Sequence, residues 1–165
     1  MPLNLLKKYP ELLEISHMTE TDRSASLRRV FNRDIQDNNN FSFRNKIINP
    51  VKGEDDAMDI LFTHLITKII DQQSRKREFD SDRSVRLNWI KHHVEENSPS
   101  LCKVFSVYEK NGIRTYIFDE NKKYVIILEP YRDNLEYYLI TAYYLKGRNY
   151  RKINNKYNRR LPDVK

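Results

Sequence analysis

Up to about residue 100 the apolar positions recur every three or four residues, the period of helices; from Leu101 onward the period shortens to that of strands. The first regime predicts two short helices in residues 1–36. One runs from Leu3 to Ile15, broken near Pro10, and the other from Ser24 to Ile35 with Leu27, Val30 and Phe31 inward. The Asn38-Asn39-Asn40 run reads as a loop, and Phe41, Phe43 and Ile47-Ile48 as a short extended piece ending before Pro50. A longer helix is expected from about Asp55 to Gln72, with Met58, Leu61, Phe62, Leu65, Ile66 and Ile69 on its core face. Its first turn holds Asp55, Asp56 and Asp59, where the helix dipole favours negative charge. After a charged link, Ser74 to Glu78, Asp80 or Ser81 suits the cap of a helix reaching about Asn97, which Pro99 blocks.

In the second regime Leu101–Lys110 and Ile113–Glu120 flank Asn111-Gly112, a strong hairpin signal. Tyr124–Glu129 and Leu135–Leu145 make a third and a fourth strand, joined through Tyr131-Arg132-Asp133-Asn134. Short connections favour antiparallel neighbours. The expected fold class is therefore α+β: N-terminal helices packed on a four-stranded antiparallel meander sheet, followed by a basic C-terminal tail. This divides the chain into an N-terminal helical appendage (1–50), a central domain (51–145) and the tail (146–165).

Charge changes this picture. The tail carries eight Lys or Arg (among them Arg148, Arg151 and Lys152) against Asp163 alone, which equals the +7 of the whole 165-residue chain. Residues 1–145 therefore balance to zero. Tyr150, Tyr157 and four asparagines interleave those cations, a mixture that stacks on bases and bonds to phosphates. A solvated, disordered tail is the plainer account of the same composition. The single cysteine, Cys102, has no internal partner, which suits a reducing, cytoplasmic setting and a buried, inert thiol. No apolar run approaches the ~20 residues of a membrane span, so no membrane partner is expected.

Glycines Gly53, Gly112 and Gly147 are isolated, so no phosphate loop is present, and no Cys/His pair has zinc spacing. Neither a metal nor a cofactor is expected. Metal-independent RNA cleavage remains open. It needs the 2′-hydroxyl as nucleophile, a base, an acid for the 5′-oxygen and cations around the phosphorane. His64 and Lys68 lie four apart on the predicted Asp55–Gln72 helix and so on one side of it, flanking the apolar stripe; a histidine completing a core edge fits that position equally. Arg86 and His93 border the apolar face of the next helix, with His92 turned toward solvent. Arg83 points near that face's centre, where it needs an acid such as Asp80 or a ligand. Thr141 and Tyr143 share one face of the last strand with Leu135, Tyr137 and Leu139, although Thr and Tyr are also ordinary strand formers.

Five stretches together resemble the barnase–EndoU–colicin–RelE-like (BECR) nuclease superfamily, in its phage-encoded branches. They are Leu61-Phe62-Thr63-His64-Leu65, Phe79 through Arg83, Arg86 through His93, Tyr124 through Leu128, and Tyr137 through Tyr143, spread over about residues 55–145. The resemblance implies a metal-independent RNA endonuclease, phage-encoded or toxin-like, leaving a 2′,3′-cyclic phosphate. It implies His64 and His93 as acid and base in either order. Arg83 and Arg86 would hold phosphate, and Thr141 and Tyr143 would complete the site from the sheet. Apart from the resemblance, their charge makes Lys68 and the tail's Arg148, Arg151 and Lys152 the expected RNA-binding residues. The alternative is a non-catalytic phage or mobile-element protein that binds nucleic acid or an acidic partner, such as an antitoxin or a capsid or portal protein.

Overall fold

The computed structural model describes residues 3–52 and 56–165. Asp55 and Gly53, which figure in the sequence reading, lie outside the described residues. Helix is confined at the N-terminus to one 3-10 turn, Leu3–Leu6. The expected continuation to Ile15 does not form, because side chains replace the helical ladder. Asn4, 1% exposed, donates from Nδ2 to the Glu14 carbonyl and Ser26 Oγ, and its Oδ1 accepts the Glu14 N–H. The Leu13 N–H crosses to the Val85 carbonyl.

Helix α1 spans Glu20–Phe31 and starts earlier than expected because Thr19 caps it, accepting the Asp22 N–H at 3.2 Å. A π-helical turn, Asn32–Gln36, completes it. The extended piece is a hairpin: β1 (Ser42–Phe43) and β2 (Lys46–Pro50) turn through Arg44 and Asn45, both at positive φ.

Helix α2 covers only Ala57–Ile66. The expectation of helix to Gln72 fails because Thr67, Ile69 and Ile70 are β-branched and the last carbonyls of α2 are taken from outside. Ile66 O accepts Asp80 N and Ser84 Oγ, while Arg83 Nη1 donates to the carbonyls of His64 and Thr67. Residues Thr67–Asp71 instead form β3, paired antiparallel with β4 (Lys76–Phe79). Lys68 is therefore on a strand and shares no helix with His64.

The next expected helix is also divided, into α3 (Ser81–Ser84), capped by Asp80, and α4 (Trp89–Val94). The break at residues 85–88 lets Asn88 Nδ2 and the Trp89 indole N–H both reach the Glu11 carbonyl. A 3-10 turn, Pro99–Leu101, leads into β5 (Cys102–Glu109), β6 (Gly112–Asp119), β7 (Tyr124–Tyr131) and β8 (Glu136–Tyr144), and α5 (Arg148–Asn158) follows.

The α+β class stands, but the sheet has six strands and is mixed, in the order β1-β2-β8-β7-β6-β5. Strands β5 to β8 pair antiparallel in sequence, and β2 adds a parallel neighbour to β8 that a four-stranded meander lacks. Burial on both faces explains the Val125-Ile126-Ile127-Leu128 run. On one face Ile126 and Leu128 join Leu27, Phe31, Leu65 and Ile90 in the larger core. On the other, Val125 and Ile127 pack with Phe105, Phe118 and Ile153 of α5. The basic C-terminal segment is thus a helix lying on the sheet, with Ile153 2% exposed and Tyr150 and Tyr157 beside it. Beyond it Leu161 N–H bonds to the Ser106 carbonyl, and Thr115 and Tyr137 hydroxyls donate to the Lys165 carbonyl.

The Asn111-Gly112 turn gives a direct test of the hairpin reading. Gly112 has φ +119°, and a Cβ there meets nothing within 4 Å. Gly112→Ala is expected to cost about 1–3 kcal/mol through backbone strain alone, read from chemical denaturation.

Candidate functional site

Two features of β8 shape the site. Strand β2 pairs with it over Tyr137–Leu139, so among the described residues its C-terminal half has no strand on that side, and α2 and α3 pack against β8. A bulge at Ile140, between the Thr141–Ile127 and Leu139–Leu128 pairs, then reverses which side chains face which layer. Tyr137, Leu139 and Ala142 go to the larger core, whereas Ile140 and Tyr143 go to the α5 side. Thr141 and Tyr143 therefore do not share a face with Tyr137 and Leu139, as plain alternation had suggested.

His64, Lys68, Ile69, Arg75, Arg77, Arg83, Ile140 and Thr141 line one open cavity of about 400 Å³. No carboxylate is among them. Helix α2 supplies His64 at its last turn, the β3–β4 hairpin supplies Lys68, Arg75 and Arg77, and α3 supplies Arg83. Arg83 fixes the arrangement: its Nη1 donates to the His64 carbonyl at 2.9 Å and the Thr67 carbonyl at 2.8 Å, with Thr141 Oγ1 at 3.4 Å. Its Nε is buried with no hydrogen-bond partner among the described residues, and Asp80 Oδ2 stands 3.8 Å away. Arg77 is braced on Thr67 through Nε and Nη2. Burial first, then the positive charges of Arg77, Arg83 and Arg75, pull His64 below the usual imidazole value, so the ring is neutral at neutral pH.

A second lobe continues past Lys68 and Arg83, lined also by Asp80, Asp82, Tyr143, Tyr144, Lys146 and Asn149. Tyr143 lies under the Arg83 guanidinium, 5.3 Å from its carbon to the ring centre. Burial raises the phenol above its ordinary value, with Arg83 opposing, so it stays a donor. Arg86 lines neither lobe: it stacks on Tyr144 at 3.9 Å and donates to the Asp82 carbonyl. Arg148, Arg151 and Lys152 sit on the exposed side of α5, whose start adjoins Lys146 and Asn149 in the second lobe.

His93 is elsewhere, and the expected convergence of two histidines does not occur. It is 2% exposed, ringed by Tyr9, Trp89, His92 and Tyr124. Its Nδ1 faces the Trp89 carbonyl at 2.7 Å and its Nε2 faces Asp119 Oδ2 at 2.9 Å. The ring is thus fixed through both nitrogens, on the Trp89 carbonyl and the Asp119 carboxylate. Asp119 also accepts from the Tyr9 hydroxyl and the Lys122 N–H. Burial pushes its carboxyl up, but these donors together hold it below the usual carboxylate range. Cys102 brings its sulfur within 4.8 Å of the pair. Metal ligation is not the natural reading of this trio, because the carboxylate already takes three donors. Burial, with Asp119 nearby, pushes the Cys102 thiol up to about 12, which makes it inert.

Arg75 and Arg77 escaped the sequence reading, which took Ser74 to Glu78 for a link. The signal was there: β-branched Thr67, Ile69 and Ile70 before the run and Phe79 after it mark a hairpin. Among the described residues no helix is long and apolar enough to cross a membrane. No family model, curated protein or solved structure matches the chain, so the chemistry of the site rests on its own residues.

Proposed function

We propose that the His64 cavity binds the backbone of RNA and cleaves it without a metal ion. What carries this is a concave site with a histidine, four cationic side chains and a hydroxyl, and no lining carboxylate among the described residues. Cations converging on one hollow repel each other unless an anion occupies it, and a phosphodiester matches their donor geometry. In this reaction the neutral His64 ring takes the proton of the 2′-hydroxyl, and O2′ attacks phosphorus. The bond to O5′ breaks, leaving a 2′,3′-cyclic phosphate and a 5′-hydroxyl. Arg75, Arg77 and Arg83 stabilise the charge on the phosphorane oxygens, with Thr141 as a neutral donor. Lys68, which lines both lobes, supplies the proton to O5′, and Tyr143 borders the same path. Arg148, Arg151 and Lys152 extend the cationic track beyond the second lobe. The unpaired Cys102 suits a cytoplasmic setting, and an acidic antitoxin, capsid or portal protein filling the same hollow would act as an inhibitor.

One observation favours a second reading, in which the chain binds nucleic acid without cutting it: only one histidine lines the cavity, His93 being sealed elsewhere. A single experiment separates the two. Purified protein incubated with RNA in the presence of chelator is expected to yield fragments ending in 2′,3′-cyclic phosphate. RNA that is retained but intact assigns the binding role instead.

A further inference from the structure

The β3–β4 hairpin meets the larger core at its base, where Phe79 packs against it. It forms its own two-stranded sheet, and residues 70–76 are exposed throughout, with Ile70 at 47%. Its base is held firmly: Arg83 and Ser84 bond to the carbonyls of Thr67 and Ile66, and Arg23 stacks on Phe79 at 3.6 Å. Its tip touches nothing of that kind. Five residues of strand at about 3.3 Å each carry the turn roughly 15 Å from that base. Isolated two-stranded hairpins are marginal in water, so an ordered ribbon projecting this far has its contacts outside the molecule.

The chemistry of the ribbon names the partner. Arg75 and Lys76 at the tip are exposed, and among the described residues the guanidinium of Arg75 hydrogen-bonds to Gln72 alone, at 3.5 Å. Lys76 has no ion-pair partner among the described residues. The acid at the turn, Asp71, accepts the N–H groups of Gln73 and Ser74 and is thereby tied to the turn itself. Gln72 and Gln73 add neutral amides that both donate and accept. Cations flanking a narrow row of amides match an A-form duplex, whose wide, shallow minor groove displays 2′-hydroxyls between two rows of phosphates. The ribbon and the cavity share Lys68, Arg75 and Arg77, so a ligand filling the cavity lies against the ribbon's base.

We propose that the β3–β4 ribbon lies along the shallow groove of an RNA duplex, so that the substrate carries a paired stem beside the strand held at His64. This rests on the RNA-binding reading of the cavity. The test measures the affinity of the full chain, at fixed salt, for an RNA stem with a single-stranded overhang, for the overhang alone, and for a DNA stem with the same overhang. The RNA stem is expected to bind about tenfold tighter than the overhang alone, and the DNA stem no tighter. Lys76→Glu with Gln73→Glu, exposed positions lining neither lobe, is expected to remove that increment and leave overhang binding within about twofold. Equal affinity for stem and overhang, an equal gain from the DNA stem, or an unaltered increment in the double variant each overturns the proposal. Stem preference without cleavage would leave the ribbon standing and remove the nuclease reading alone; cleavage without stem preference does the reverse.

Discussion

Asp119→Ala is expected to destabilise the protein by about 3–5 kcal/mol, a large share of what a domain of this size has. The carboxylate is 0% exposed and accepts from His93, Tyr9 and the Lys122 N–H. Truncation leaves the buried His93 ring and the Tyr9 hydroxyl without the carboxylate they contact. It also removes the Tyr9–Asp119 bond, which joins segments 110 residues apart. Asp119→Asn keeps the shape and one acceptor and is expected to cost distinctly less. Denaturant midpoints followed by circular dichroism decide it, and an alanine variant within about 1 kcal/mol of wild type removes this account of the buried cluster. The pH dependence has a definite sign. Because the folded-state carboxyl is held low, its contribution is complete above the ordinary Asp value of about 3.9 and fades as pH falls below it. The gap between wild type and Asp119→Ala should therefore narrow as pH falls below that value.

The same cluster shows what could and could not be read from the sequence. Strands β5 to β8 were legible because period-two alternation, Asn111-Gly112 and short connections are local signals. The parallel pairing of β2 with β8 was not, because it joins Ile48 to Tyr137 across most of the chain. The continuous Val125–Leu128 run implied a second cover for the sheet, yet net charge drew α5 into a tail although Tyr150, Ile153 and Tyr157 carry the helical spacing of its packed face. Apolar Ile66 and Ile69 extended α2 too far, since helical spacing outweighed the β-branched run that follows. His64 and His93 both flank apolar faces in the pattern. What parts them is tertiary: Tyr9 and Asp119 close over one, while the β3–β4 hairpin leaves the other at the wall of an open cavity. Burial depends on which distant segment arrives, and a helical period carries no record of that.

His64→Ala is expected to reduce RNA cleavage by about 10²–10⁴-fold, the usual contribution of a positioned general base. Arg83 donates to the His64 carbonyl and not to its ring, so removing the imidazole spares the bonds that close α2 and the fold should persist. His93→Ala, by contrast, is expected to lower stability and, at temperatures where the variant remains folded, to leave the cleavage mechanism intact. The pH profile identifies the role of His64. A base must be neutral, and burial with Arg77, Arg83 and Arg75 keeps the free ring below the ordinary value of about 6.5. The acidic limb of kcat/KM, which reports the free protein, should therefore bend below that value and rise with pH. Bound phosphate screens the same guanidiniums, so the limb of kcat should bend at higher pH than that of kcat/KM. Arg77→Gln removes one of those charges and should move the kcat/KM limb upward as well as weaken binding. If cleavage survives His64→Ala with its pH profile unchanged, the imidazole is not the base, and the cavity is left with phosphate binding alone.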